Sequence, residues 1–371
     1  MSVQWGLPLL ESVLPRPTWE RVYTAANDPF FEPPDPGNLP TWNGATGELL
    51  KDIPLLRMRR VSRRKFRALC AEGIDVQYGK VLAHIGDGDV SASQKAQGRP
   101  PGPRHVFKTT DKQGTPREDY VTAHFNDGSV AGGSLLIGAD GAQSAVRTNI
   151  LGEAGRAKSV PYNAINLHVC YNDAGKALFV RQKHPIMTHA IHPDGYWIWI
   201  SIQDVPSPDD PAGWTFQLQL TWKKREGEDP TSLEALKAKA QTFAEPFRSA
   251  FLWVPDDKKV SVNNLSIWDP VPWDDNRVTL VGDAAHPMTF QRGQGLNHGI
   301  ADADVLVREI VAARDGEKTV EEALAAYQAE MVPRAGEEVR LSMLNTEMLH
   351  DWERAINSPL LQKGGHANVK K

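Results

Sequence analysis

Val278-Thr-Leu-Val-Gly-Asp-Ala-Ala-His286, followed by Gly293-Gln-Gly-Leu-Asn297 at the head of a long apolar periodicity, is the stretch on which the reading of this chain turns. Residues Arg277 to Gly282 have the pattern of a short buried strand. Asp283 then places an acceptor at the carboxyl end of that strand, the edge where open α/β sheets bind their ligands. Gly282 lets a ligand approach the backbone closely, while Gly293 and Gly295 leave a helix N-terminus uncovered. The free N–H groups and positive dipole of that terminus can face an anion. A lone glycine pair reads as an ordinary strand-to-helix turn. Strand, Gly-Asp and glycine-rich helix start together read as a ligand cradle.

Working outward, the helix over residues 294–313 is the clearest in the chain, with Leu296, Ile300, Ala303, Val307, Ile310 and Val311 at helical spacing. Upstream, from about 160 to 222, the period changes to two. Trp214, Phe216, Leu218, Leu220 and Trp222 share one face and Thr215, Gln217, Gln219 and Thr221 the other, predicting a half-wet antiparallel strand. Tyr196–Ile200 is a second strand, with Trp197 and Trp199 on one side and Ile198 and Ile200 on the other. Tyr196, Trp197, Trp199 and Trp214 are candidates for lining a pocket, although aromatic strands more often form core. Between 231 and 250, Leu233, Leu236, Ala240 and Phe243 form a helical stripe.

Toward the N-terminus, Ser134–Asp140 reads as a short buried strand, and Val121, Ala123 and Phe125 lead into a hairpin turn at Asn126-Asp127-Gly128. Residues 86–117 read as a long surface loop. Ser62 to Gly73 reads as a capped helix, with Phe66, Leu69 and Cys70 as its apolar stripe and a strand following at Ile74–Leu82. Pro29, Pro33, Pro34, Pro36 and Pro40 argue against a long helix or a central strand in the first fifty-odd residues. The fold class is α/β, with an antiparallel sheet between two α/β stretches. The segments are 1–158, 159–265 for the sheet, 266–350, and a tail over 351–371.

Composition narrows the class. The 371 residues carry 42 basic and 46 acidic side chains, a formal net charge of -4, which gives no general argument for nucleic acid or an anionic membrane as partner. Two cysteines, Cys70 and Cys170, lie far apart, arguing against a disulfide framework or a cysteine zinc site and fitting a reducing compartment. No apolar run reaches the ~18 residues of a membrane span. The opening MSVQWGLPLLESVLP lacks a basic region and contains Glu11, unlike a signal peptide, so a soluble cytoplasmic protein is expected. His184, His189 and His192 have spacing that fits neither one strand face nor a zinc helix motif. His286 and His298 flank the cradle and read as structural rather than as general bases.

At this point the chain resembles the class A, p-hydroxybenzoate hydroxylase-like FAD-dependent monooxygenases. GDAAHPMTFQRGQGLNHGIADADVL is similar to that family's second FAD motif, and Leu135-Leu-Ile-Gly-Ala-Asp-Gly-Ala-Gln-Ser-Ala-Val-Arg147 to its Asp-Gly motif. Met288-Thr-Phe-Gln-Arg resembles fungal secondary-metabolite members, although many relatives have proline where Phe290 stands. The resemblance implies a Rossmann-type FAD/NAD(P)-binding domain and an antiparallel substrate sheet. It implies that Gly282 and Asp283 meet the FAD ribityl chain. Gly293, Gln294, Gly295, Leu296 and Asn297 would set a helix N-terminus by its pyrophosphate and flavin, where the dipole favours the anion of the reduced ring. Asp140 and Gly141 would lie near the pyrophosphate and serve NAD(P)H as co-substrate, with Ser144 and Arg147 holding that turn by hydrogen bonds; alone, Arg147 could equally be a solvated helix residue.

The basic run Arg57–Arg67 could by itself be a nucleic-acid patch, but the stripe through Phe66 and Leu69 argues for a packed helix. The resemblance assigns Arg63 to the FAD phosphates and leaves its neighbours solvated. The implied reaction inserts one oxygen atom from O2 into an aromatic or polyketide-like small molecule; Baeyer–Villiger insertion, halogenation and a catalytically impaired remnant are the alternatives. The family's opening Gly-x-Gly-x-x-Gly strand–helix–strand unit is not found in this sequence. The expectation is therefore an N-terminally truncated chain that binds FAD weakly or not at all, and the residues indicate no substrate base or oligomeric state.

Overall fold

Period-two alternation produces the largest element of the structure, a six-stranded sheet. It is seen in a computed structural model that describes residues 1–87, 109–110, 116–117, 121–275, 277–358 and 361. The strand order is Tyr162–Cys170, Thr215–Lys223, Tyr196–Asp204, Met187–His192, Gly37–Asn43, Leu49–Leu55. All neighbours are antiparallel except Met187–His192 with Gly37–Asn43, which run parallel.

One face of the sheet is the main core. Ile165, Leu167, Ile198, Ile200, Phe216, Leu218 and Leu220 pack there with Ala177, Val180, Leu236, Ala240 and Phe247 from the helices that cover it. The register puts a different set on the other face. Asn166, Gln219, Trp199, His189 and Thr41 form one cross-strand row, with His168, Gln217 and Ser201 beside it. Trp197 and Trp199 thus stand on this inner face as expected, whereas Tyr196 and Trp214 are buried in the outer core.

Several expectations are corrected. Residues 37–55 supply two strands of the sheet, so the antiparallel segment is not confined to 159–265. Pro40 is accommodated because pairing with Met187–His192 begins only at Thr41; at Pro40 the strand has a single neighbour, Leu49–Leu55. The helical stretch 231–250 is two helices, Leu233–Ala240 and Phe247–Leu252, because Pro246 cannot continue a helix from the turn before it. The Ser62 side chain makes no cap bond to the helix Arg63–Cys70. No strand spans Ile74–Leu82; it is Leu82–Asp87 that pairs with the hairpin strand Val121–Phe125. The 86–117 loop lies largely outside the described residues, as does most of the 351–371 tail, whose described part holds a helix, Trp352–Ile356.

The second layer is α/β. Strand Leu136–Gly138 runs parallel to Val278–Leu280, and their cluster includes Val146, Leu306, Leu324, Tyr327 and Met331. The former strand is less buried than its sequence suggests, since Ile137 is 44% exposed. The helix Gly295–Arg314 brings Leu306 to this cluster, and its buried side runs through Asn297, Ile300, Ala301 and Leu306. Val307 and Val311 stand exposed, so the packed stripe is rotated from the apolar one read in the sequence. Val320–Leu349 starts with a capping box between Thr319 and Glu322. None of the described helices is long and apolar enough to cross a membrane.

The sheet's asymmetry gives a test. Phe216→Ala should lower the unfolding free energy by about 3–5 kcal/mol, whereas Gln219→Ala on the inner face should change it by less than about 1 kcal/mol, both read from urea unfolding.

Candidate functional site: a cradle facing the inner sheet

The parallel strands Leu136–Gly138 and Val278–Leu280 deliver two loops side by side at their carboxyl ends. In one, Asp140 accepts from the Ser144 hydroxyl at 2.5 Å and from the backbone N–H groups of Ala145 and Val146 at 2.7 and 3.1 Å, so its carboxylate holds the start of the helix Ala145–Leu151. In the other, Gly282 and Asp283 begin a short 3-10 turn. Arg147 ties the loops together. Its guanidinium is buried and donates to the carbonyls of Gly155, Ala284 and Ala142, at 2.5, 2.6 and 2.6 Å. The guanidinium also lies 5.0 Å over the Trp268 ring. Arg147 is therefore not a solvated helix residue; it fixes the turn.

Asp283 is the free group of the cradle. It is exposed, none of the described residues donates a hydrogen bond to its carboxylate, and a methyl group built on Gly295 would lie 3.6 Å from Oδ1. The carboxylate thus stands at the first turn of Gly295–Arg314, whose N-terminus has no side-chain cap. Gly282 and Gly293 have φ of 59° and 67°, and a side chain on either would project into open space. An uncapped helix start, an unpartnered acceptor and open glycine backbone are the donor and acceptor set a dinucleotide's hydroxyls and diphosphate require, so these residues fit FAD.

The flanking residues divide differently from expectation. Asn297 accepts from the N–H groups of Gln4 and Gly6 at 2.8 and 3.2 Å and donates to the Ser2 carbonyl, strapping the N-terminal segment to the helix. Gln294 accepts from the Trp5 indole at 2.8 Å, and Leu296 packs beside Val3, Leu10 and Ile300. Their side chains are engaged within the protein, leaving backbone N–H groups as what Gln294, Leu296 and Asn297 offer a ligand. Arg63 is exposed, with no hydrogen bond or ion pair among the described residues, on a helix whose Phe66 and Leu69 share a cluster with Ile300. Its neighbours are not simply solvated: Arg57 and Arg59 reach Glu32, Lys65 pairs with Asp204 at 2.6 Å, and Arg60 is buried.

Sequence reasoning missed the group that sets the cradle. Asp302, fully buried on Gly295–Arg314, accepts from the Gly282 N–H at 2.7 Å, His286 Nε2 at 2.6 Å and Arg334 Nη2 at 2.8 Å. Burial raises its pKa, but His286 and Arg334 together outweigh that and hold the carboxyl below its usual range. Arg334 also donates to His298 Nδ1 at 2.9 Å; burial and then that guanidinium push the His298 ring down to about 3. Each of the two imidazoles is thus held by a charged partner within the protein.

Opposite the cradle lies the inner sheet face. Phe290, in the loop before the helix, meets Trp197 with ring centroids 6.0 Å apart. The Trp197 indole donates to His189 Nδ1 at 2.8 Å, so the ring proton sits on Nε2 and is donated to Thr41 Oγ1 at 2.7 Å. Burial pushes His189 down to about 4, consistent with that neutral ring. Arg60 donates to Ser201 and Gln217 on the same face and lies 5.4 Å over the Trp199 ring.

Asp302→Asn keeps the shape but leaves Arg334 and His286 without the charge, and should cost about 3 kcal/mol near pH 7. The folded-state pKa lies below the unfolded value of about 3.9, so the carboxylate's contribution is complete above that value and fades as pH falls through the lower one. Urea midpoints of wild type and variant should therefore converge only below about pH 4; convergence by about pH 6 would exclude this role.

Residues 107–342 match the family described as FAD binding domain. Along the whole chain, the FAD-dependent monooxygenase phnB of Penicillium herquei is 39% identical, with 98% of this chain and 84% of that protein covered. The FAD-dependent monooxygenase cctM of Talaromyces islandicus is 35% identical, with 98% and 85% covered. Among solved structures, Klebsiella pneumoniae HpxO complexed with FAD and uric acid superposes with a TM-score of 0.70 at 20% identity, over 98% of this chain and 82% of that one. Since the match covers sheet and cradle alike, this chain belongs to the FAD-dependent monooxygenases, the class A hydroxylase-like proteins built on the FAD binding domain.

Proposed function

We propose that this chain oxygenates an aromatic or polyketide-like small molecule, with FAD held at the cradle, NAD(P)H as reductant and O2 as the oxygen source. The observation that carries the reading is the unpartnered Asp283 carboxylate at the uncapped start of Gly295–Arg314. When bound, FAD supplies hydride acceptance and O2 activation. The chain's residues do the rest. Asp283 accepts hydrogen bonds from hydroxyls of the cofactor's sugar chain. The N–H groups of Gly295, Leu296 and Asn297 face its negative charge, aided by the helix dipole. Arg63, exposed and unpaired, reaches the diphosphate.

The substrate class is argued from the inner face. Trp199 and Phe290 offer flat apolar surface to a ring, and Asn166 and Gln219, paired in one row, offer amide groups to its substituents. Phe290 against Trp197 closes one end of this face and keeps water from the reacting ring.

Two measurements test this. Asp283→Ala should weaken FAD binding about tenfold or more, read by flavin fluorescence in a titration, with circular dichroism unchanged. The FAD-loaded chain, given NAD(P)H, isotopically labelled O2 and a set of aromatic polyketides, should yield a product carrying one labelled oxygen on a ring carbon. A ring-expanded ester or a halogenated product would replace hydroxylation by one of the other outcomes. A preparation that takes up no FAD would sink the reading.

A further inference from the structure

Arg60 is a buried cation without an anion. It is 8% exposed, in the short strand Arg59–Arg60. Its Nη1 donates to Ser2 Oγ at 3.2 Å, and its Nη2 donates to Ser201 Oγ at 2.8 Å and Gln217 Oε1 at 2.5 Å. Each of these partners is neutral, and none of the described residues places a carboxylate within ion-pair distance. Its Nε is buried with no acceptor, and so is the indole N–H of Trp199, the ring over which the guanidinium lies. Arg147, the other buried arginine among the described residues, and the partly buried Arg334 differ. Arg334 sits on Asp302 and Glu330, and all three guanidinium nitrogens of Arg147 donate to backbone carbonyls.

An unpaired buried charge and two unsatisfied buried donors weaken a fold, and such groups concentrate where a ligand completes them. Burial draws Arg60 down to about 10, which leaves it charged at neutral pH. Its position matters as much as its charge. Ser201 and Gln217 belong to the inner sheet face, while Ser2, its partner on the other side, gives its carbonyl to Asn297 of the cradle helix. Arg60 therefore stands where the sheet and the cradle meet.

We propose that Arg60, together with the indole N–H of Trp199, binds an anionic oxygen of an aromatic ligand, a carboxylate or an ionised phenol, and so makes the site selective for acidic over neutral aromatics. Identifying that ligand as the substrate rests on the oxygenase reading above; the binding itself does not. Two donors without acceptors and one uncompensated positive charge match an oxygen that brings lone pairs and a negative charge at once. Stacking on the indole also orients the guanidinium plane, which a lysine cannot reproduce.

The test uses the full chain, first titrated with FAD, and calorimetry with two pairs of ligands: benzoate against benzamide, and pentafluorophenol, ionised at neutral pH, against pentafluoroanisole. In the wild type at least one anion should bind about tenfold or more tightly than its neutral counterpart, and which anion does so separates carboxylate from phenolate. Arg60→Gln should abolish the preference, Arg60→Lys should keep part of it, and Trp199→Phe should weaken the anion alone. Neutral ligands bound as tightly as the anions, neither anion bound, or a preference intact in Arg60→Gln would each overturn the proposal. Should Arg60→Gln fail to fold, Trp199→Phe decides, and equal weakening of anion and neutral partner overturns it. A chain that takes up no FAD yet keeps the preference sinks the oxygenase reading and leaves this one standing.

Discussion

Asp302 is a carboxylate that solvent does not reach, and three separate elements donate to it: the backbone at the end of a strand, the loop imidazole of His286, and Arg334 on the long C-terminal helix. Apolar burial alone would allow helix and strand to slide, because it has no direction. Charge-assisted hydrogen bonds fix distance and angle together. The relation between Gly282 and the first turn of Gly295–Arg314 is set by this one acceptor, and the cradle inherits its shape from it. Asn297, on the same helix, then sets where the N-terminal strap lies.

Much of this was legible because it is local. A strand end, a Gly-Asp pair and a glycine-rich helix start are neighbours in sequence, so their juxtaposition needs no knowledge of the rest of the chain. The two faces of Tyr196–Asp204 and Thr215–Lys223 followed from alternation alone. What could not be read depends on distant partners. Arg60 and Arg63 sit in one basic run, and only the fold decides that one is buried on the sheet and the other exposed. Asp302 reads as a solvated helix residue until Arg334 and His286 are brought to it. The strands of residues 37–55 were hidden by prolines whose missing N–H groups matter only where a second neighbour would need them.

The imidazoles around the inner face behave alike. Burial pulls His189 and His350 each to about 4. His350 Nδ1 donates to the Thr346 carbonyl, and in the neutral ring that burial favours, Nε2 is left to accept from the Thr221 hydroxyl. His189 ties three strands of the sheet together and His350 ties the sheet to the long C-terminal helix, both as fixed connectors rather than proton carriers. The wall they form keeps the same charge across the neutral range, and Arg60 supplies its positive potential.

The parallel junction between Gly37–Asn43 and Met187–His192 has a consequence for biogenesis. The Thr41 hydroxyl and His189 that meet across it are 148 positions apart along the chain. During synthesis the early hairpin Gly37–Leu55 must wait, with open edges, until the ribosome has delivered the middle of the protein. Such long-range closure slows folding and prolongs exposure of sticky backbone, so efficient production in a cell depends on that hairpin being shielded in the interval.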